Sequence, residues 1–448
     1  MNESWNSACP SAARGRIVSG LCSGVAAVVL AALVVATLSF ELHILRTSSF
    51  GRPYPFPIYP LMPIPETSPV AGLGAAGADF SQVYTGALAL RHGESAYRPE
   101  SPEFTERFGR PPGLPPLMNW VYVPLSLLPY HAALLAHTAI SLLALLGATA
   151  LVLWKSGLRR HVWRVTLAQA SLYFLTPIGL THLERGQFDL IVAASTVLCF
   201  ACVFVAGNSF GLAAASGFLG ALKWTAVPFV WCFSALGFLL GFRSRVFLTI
   251  PSVMVLGTVL FWRGLLEYWS SIQVYELDAL PEGLTLQHFV PRLVAKMAPV
   301  AVTLSCALFV VARYRSHRER AQVFVAISAP FALALANLAV CFATISYEYH
   351  TVTTLGMIPC LVLWTEKEPS VPTRVKAVTC VAFGTLLVVT FRVFGLNNLF
   401  DSVAMARVYS FFTLLFFGLC AYTILSLRIS STDASPVTAG GEVRSLRS

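Results

Sequence analysis

At 448 residues the chain is 56% hydrophobic and 12% charged, with mean hydropathy +0.70 and a formal net charge of +10. Soluble domains carry about 25% charged residues, so this composition excludes a water-soluble fold and implies an all-α polytopic membrane protein. The basic residues sit in short clusters between apolar runs, as in chains oriented by positive charge, which excludes nucleic acid as a partner.

Residues 1–16 read as a short cytoplasmic start, and the uncharged run 17–40 as a retained first span, its apolar core exceeding that of a signal peptide. Residues 42–116 read as a large extracytoplasmic loop, near neutral and free of cysteine. Its first half, at 52–69, is extended proline-rich chain. Its second half predicts a short amphipathic helix at 80–92, with Val83, Leu88 and Leu90 on the apolar face. The apolar stretch 114–130 is bounded by proline. As a full span it would put Lys155, Arg159, Arg160 and Arg164 outside, so it is expected to lie in the outer interface.

Spans are then predicted at 132–154, 162–180, 188–206, 210–222, 225–240, 246–262, 289–312, 323–345, 351–364, 377–394 and 408–427. With the first, they make about twelve in a membrane domain of 17–427. An outer loop holds Arg263, Glu267, Glu276, Asp278 and Glu282, another holds Asn397, Asn398 and Asp401, and a polar tail at 428–448 is expected to be disordered and cytoplasmic. The spans 210–222 and 225–240 are too short to cross a ~30 Å core alone, which lets water or headgroups dip toward Lys223. Sixteen Lys and Arg fall near the expected cytoplasmic ends and seven near the outer ends, which places both termini inside.

Most of the ten cysteines lie in apolar runs, so no disulfide framework is expected. Cys199 and Cys202 spell C-x-x-C in mid-helix, without histidine partners, and read as small buried side chains. There is no G-x-x-x-x-G-K-[ST], H-E-x-x-H or G-x-S-x-G, which gives no support to a nucleotide-driven pump or a zinc protease.

The candidate chemistry centres on Asp79, between Gly77, Ala78 and the amphipathic segment. A carboxylate there could take the proton of an acceptor hydroxyl. If the leaving group is already a phosphate, one base and one phosphate clamp suffice. Lys223, inside an apolar run, is a clamp candidate or a lysine snorkelling to the interface. Arg185 and Gln187, with Asp189, stand at an outer helix junction. His350, beside Tyr347 and Glu348, could bind phosphate or a sugar hydroxyl.

The order Asp79, Tyr84, Gly93, Tyr97, then Pro115-Pro116-Leu117 leading to Leu127-Leu128-Pro129, then Arg185-Gly186-Gln187-x-Asp189, then Gly217 and Lys223, resembles glycosyltransferase family 87. The resemblance covers about 78–240, with a weaker echo at 347–350. It implies a GT-C-like helical bundle and an inverting transfer of a sugar, usually mannose. The donor would be a polyprenyl-phosphate sugar and the acceptor a lipid or glycan hydroxyl, on the extracytoplasmic face of the plasma membrane. Asp79 would be the general base, His350 would help bind donor or acceptor, Lys223 matches the lysine of the family's short-helix pair and joins Arg185 and Gln187 as candidates for holding the donor phosphate or sugar, and neither metal nor cofactor is implied. Asp189 stands where Asn is commoner, and is expected to pair with Arg185 or add a hydrogen-bond acceptor. Tyr84, Asp189, Tyr347, Glu348 and Glu94 are secondary candidates. The competing function is a polytopic transporter or lipid flippase for envelope precursors.

Overall fold

The computed structural model describes residues 77, 79–101, 104, 113–207, 209–276, 282–342, 345, 346, 348–391 and 402–427. The expected span at 17–40, the proline-rich chain at 52–69, Tyr347, Asp278, Asn397, Asn398, Asp401 and the tail 428–448 lie outside them, as does the side chain of Glu348. The described residues are helical apart from two two-residue strands.

Helix α1, Phe80–Arg91, forms where the amphipathic pattern predicts it and buries Phe80, Val83 and Ala87. Helix α2, Pro116–Tyr122, opens on a proline whose fixed φ suits the first turn. A 3₁₀ turn, Leu125–Leu127, follows. The stretch 114–130 thus contains no helix long enough to cross a bilayer, and it exposes Trp120 and Leu127. Helix α3, Tyr130–Lys155, is long and apolar enough to cross a membrane.

The single helix expected at 162–180 is instead two, α4 at Val162–Phe174 and α5 at Pro177–Arg185. Pro177 clashes with a helical residue before it, so Thr176 is extended at ψ 149°. The Thr176 hydroxyl caps the new helix by accepting the Gly179 N–H at 3.3 Å.

Helix α6, Asp189–Phe204, is buried on every side from Asp189 to Val203. Helix α7, Ser209–Leu222, a 3₁₀ turn at Trp224–Ala226 and α8, Val227–Leu239, are the short elements that the sequence announces. Helix α9, Ser244–Val259, turns through 89° into α10, Trp262–Glu276. This corrects the expected loop after residue 262: Arg263 and Glu267 lie on a helix.

Strand β1, Glu282–Gly283, pairs in parallel with β2, Ile345–Ser346. Between them run α11, Arg292–Arg313, and α12, His317–Val340. Helix α12 starts six residues before its expected first residue, 323, because Ser316 and Glu319 form a capping box. A 3₁₀ segment, Glu348–Gly356, leads into α13, Met357–Lys367. Helices α14, Thr373–Thr390, and α15, Ser402–Ser426, complete the bundle.

Among the described residues five helices are long and apolar enough to cross a membrane, six if α9 and α10 form one bent span. The expected total of about twelve is not reached there, because 162–185 is broken and several neighbours are short. Helix α6 sits at the centre, against α3, α7, α13 and the 3₁₀ segment 348–356. At Gly356 a β-carbon would lie 2.6 Å from the Ala193 carbonyl oxygen, so only glycine allows this approach.

The bundle has two chemically distinct ends. At one, Arg160 and His161 meet Glu366 at 3.0 and 3.2 Å. There Arg243 also donates to the Cys202 and Val205 carbonyls at 2.8 and 2.7 Å. At the other end lie the start of α1, the turn from α5 to α6, and Lys223.

Candidate active site

The turn between α5 and α6 holds the site together. Helix α5 ends on Gly186, which adopts the left-handed conformation at φ 62°. A β-carbon there would stand 2.7 Å from the Phe80 β-carbon and 3.2 Å from the Gly77 α-carbon. Glycine thus serves both the reversal of the chain and its contact with the start of α1. Tyr130 anchors the same corner by donating to the Gly77 carbonyl at 2.8 Å.

Asp79 occupies the N-cap position of α1, but its side chain does not cap the helix. Its backbone N–H donates to the Arg185 carbonyl at 2.9 Å. Its Oδ2 accepts a short hydrogen bond from Gln187 Nε2 and lies 3.7 Å from Arg185 Nη1. Two segments 108 residues apart therefore meet at one carboxylate oxygen.

Beneath this pair is a buried ionic cluster. Asp189, at 0% exposure, accepts from Lys223 Nζ at 2.8 Å. Its carboxylate lies 3.1 Å from His350 Nδ1 and 3.6 Å from His182 Nε2. Lys223 Nζ also reaches Gln187 Oε1 at 3.4 Å, so Gln187 joins the cluster to Asp79. Of the two expectations for Asp189, the added hydrogen-bond acceptor is the one found, for it holds Lys223 and His350, while Arg185 lies against Asp79. The reason is placement, since Arg185 ends α5 on the near side of Gly186 and Asp189 starts α6 beyond it.

Two histidines that the sequence reading passed over complete the surroundings. His182 lies 3.0 Å from Tyr173 Oη through Nδ1. His137 is buried on α3, 2.7 Å from Tyr122 Oη and 3.2 Å from the Gln187 carbonyl. Its ring stacks on Phe80 at 5.1 Å. The signal was available for His137: it is an ionisable residue inside a hydrophobic span, the criterion that drew attention to Lys223.

Two secondary candidates lie apart from the cluster. Tyr84 donates to the Leu128 carbonyl at 2.9 Å and packs its ring on Phe80 and Tyr130, which ties α1 to the interfacial segment. Glu94 lies beyond the far end of α1. It accepts the Ser101 hydroxyl and the backbone N–H groups of Glu100 and Ser101 at 2.8 and 3.0 Å. The Ser101 hydroxyl, then its N–H, hold the Glu94 carboxyl below its ordinary value of 4.5.

Among the described residues no group of three or more His, Cys, Asp or Glu side chains has the arrangement of a metal site. What the cluster offers is one carboxylate near the surface, paired cations, and a buried acid that orders a lysine and a histidine.

A comparison with curated proteins finds no match. The model of glycosyltransferase family 87 matches residues 114–340, just over half of the 448. The match contains Arg185, Gln187, Asp189 and Lys223, and Asp79 and His350 stand on either side of it. On that match the chain belongs to glycosyltransferase family 87.

Proposed function

We propose that this glycosyltransferase moves a sugar, mannose on the family resemblance, from a polyprenyl-phosphate donor to a lipid or glycan hydroxyl, with Asp79 as general base. The observation that carries the reading is the convergence on Gln187: its amide holds the Asp79 carboxylate on one side and meets Lys223 on the other.

In the reaction, the acceptor O–H gives its proton to Asp79 as its oxygen attacks the anomeric carbon from the face opposite the phosphate. The bond from that carbon to the phosphate oxygen breaks, and polyprenyl phosphate leaves with the electron pair. Configuration inverts. The leaving phosphate needs cations but no second acid.

Arg185 and His350, with side chains 11% and 18% exposed, are the positive or protonatable groups that a phosphate can reach. Lys223 is 5% exposed and engaged by Asp189. Its part is then to fix Asp189 and Gln187, and the clamp proper is Arg185 with His350.

Charge supports one side of the membrane for the site. The end remote from the cluster carries Arg160, Arg243 and Arg320 with their neighbours, which the positive-inside rule assigns to the cytoplasm. That supports an extracytoplasmic site in the plasma membrane.

The test is incubation of the purified protein with radiolabelled polyprenyl-phosphate mannose and a panel of membrane lipids. Asp79→Asn is expected to lose turnover by about 10²–10⁴, the usual worth of a general base, while still binding donor. Undiminished transfer by that variant removes Asp79 from the role. EDTA is expected to leave wild-type transfer unchanged; its loss, restored by a divalent ion, would replace the all-protein clamp.

A further inference from the structure

A concave feature lies along α1, away from Asp79. It is a cleft of about 480 Å³ between the segment after α1, helix α2 and the bend from α9 to α10. That volume is in the range of small-ligand sites. Asn119 lines it and packs over Gly86, seven residues along α1 from Asp79. At 1.5 Å per residue the cleft begins about 10 Å from the Asp79 backbone.

Its walls divide by chemistry. Trp120, Phe261 and Trp262 form one rim, with the first two rings stacked at 5.8 Å. The polar side holds Glu267, which accepts the Ser95 hydroxyl and has no other carboxylate partner among the described residues. Asn119, fully buried over Gly86, donates to Tyr97 Oη at 3.1 Å and so fixes a tyrosine that lines the cleft. A carboxylate and a serine hydroxyl sharing a cleft with aromatic rings suit a polyhydroxylated ring, whose C–H face stacks while its hydroxyls hydrogen-bond.

The mouth is apolar. Leu260 and Trp262 of its lining are 66% and 56% exposed, and Leu266 and Trp269, beyond the lining, are 66% and 59% exposed. Helix α10 carries three of them and lies at 89° to the end of α9, as a helix resting in a membrane interface would. A ligand entering here would meet lipid outside and polar groups within.

We infer that this cleft seats the hexosyl head group of a membrane-anchored acceptor, with Glu267 taking hydroxyl hydrogen bonds and Trp120 and Trp262 framing the ring. The inference rests on the transferase reading above, since it supplies the second substrate of that reaction. The acceptor hydroxyl would extend along α1 toward Asp79 while the cleft grips the sugar behind it.

The experiment titrates the protein in nanodiscs with octyl mannoside and octyl glucoside below their micellar concentrations, following tryptophan fluorescence. Octanol and methyl mannoside serve as controls, and wild type is compared with Glu267→Gln, Trp262→Ala and Asp79→Asn. At least one octyl hexoside is expected to bind saturably. Glu267→Gln should weaken it about tenfold, the worth of a hydrogen bond to a charged group, and Trp262→Ala by a similar factor, with Asp79→Asn unchanged. In turnover assays the first two variants should raise the acceptor KM and leave kcat alone.

Equal binding of octanol would make the cleft a plain lipid groove, and equal binding of methyl mannoside would remove the membrane anchor; either overturns the proposal. So does the absence of saturable binding, an unaltered Kd in Glu267→Gln, or loss of binding in Asp79→Asn. Retained turnover in Asp79→Asn alongside weakened binding in Glu267→Gln would discard the base and keep the cleft.

Discussion

At Gly186 the backbone is left-handed and the start of α1 is in van der Waals contact. Gly186→Ala should cost about 2–4 kcal/mol, combining left-handed strain with overpacking, read as a lower melting temperature in detergent. Lys223 and Asp189 form a second test. Either Lys223→Met or Asp189→Asn leaves a buried charge without its partner, at about 3–5 kcal/mol, whereas the double variant should recover much of that stability. An additive double variant would mean that the two do not couple. Glu94 gives a pH signature. Its folded-state value lies below 4.5, so its contribution is complete above that pH and fades as the pH falls below it. Proteolysis at 94–101 should therefore quicken in acid and the amide protection factors there, corrected for intrinsic exchange, should fall, and Glu94→Gln should show the same opening at neutral pH. Asp79, Arg185, Lys223 and His350 stood out in the sequence because charge is scarce in this chain. Gln187 and Asp189 stood out beside them, but who pairs with whom did not, because pairing depends on which side of Gly186 each residue falls, and a single reversal of backbone decides that.

Elements with strong apolar periodicity and clear ends, such as α3 and α1, were legible within about two residues. The break between α4 and α5 was written in Pro177, but the hydrophobicity of 162–180 concealed it. Helix α10 was hidden in the opposite way: Arg263 and Glu267 suggested a loop, yet they stand one turn apart on the side of the helix that lines the cleft. The early start of α12 was announced by Ser316 and Glu319 within the basic cluster. Ser316→Ala is expected to cost about 1 kcal/mol and to fray the first turn, seen as faster amide exchange over 317–321 with the rest of α12 unaffected.

Across the whole molecule, two ends of opposite character define a direction. Glu100→Cys beside the cleft and Lys367→Cys at the basic end should therefore label differently with an impermeant maleimide. The first should react in intact cells and the second only after permeabilisation, each judged against the wild-type background; the reverse pattern would invert the chain. Fold class and family were open to inspection in composition and motif order, whereas the meeting of Asp79 with the α5–α6 turn needed the third dimension. That meeting has a practical corollary. Its main seam is made of peptide atoms, the Asp79 N–H on the Arg185 carbonyl, so rewriting either side chain does not unpick it. Position 79 can thus serve as a ruler: Asp79→Glu advances the oxygens by one methylene on an unmoved anchor, and the activity that survives gauges how closely the incoming alcohol must sit.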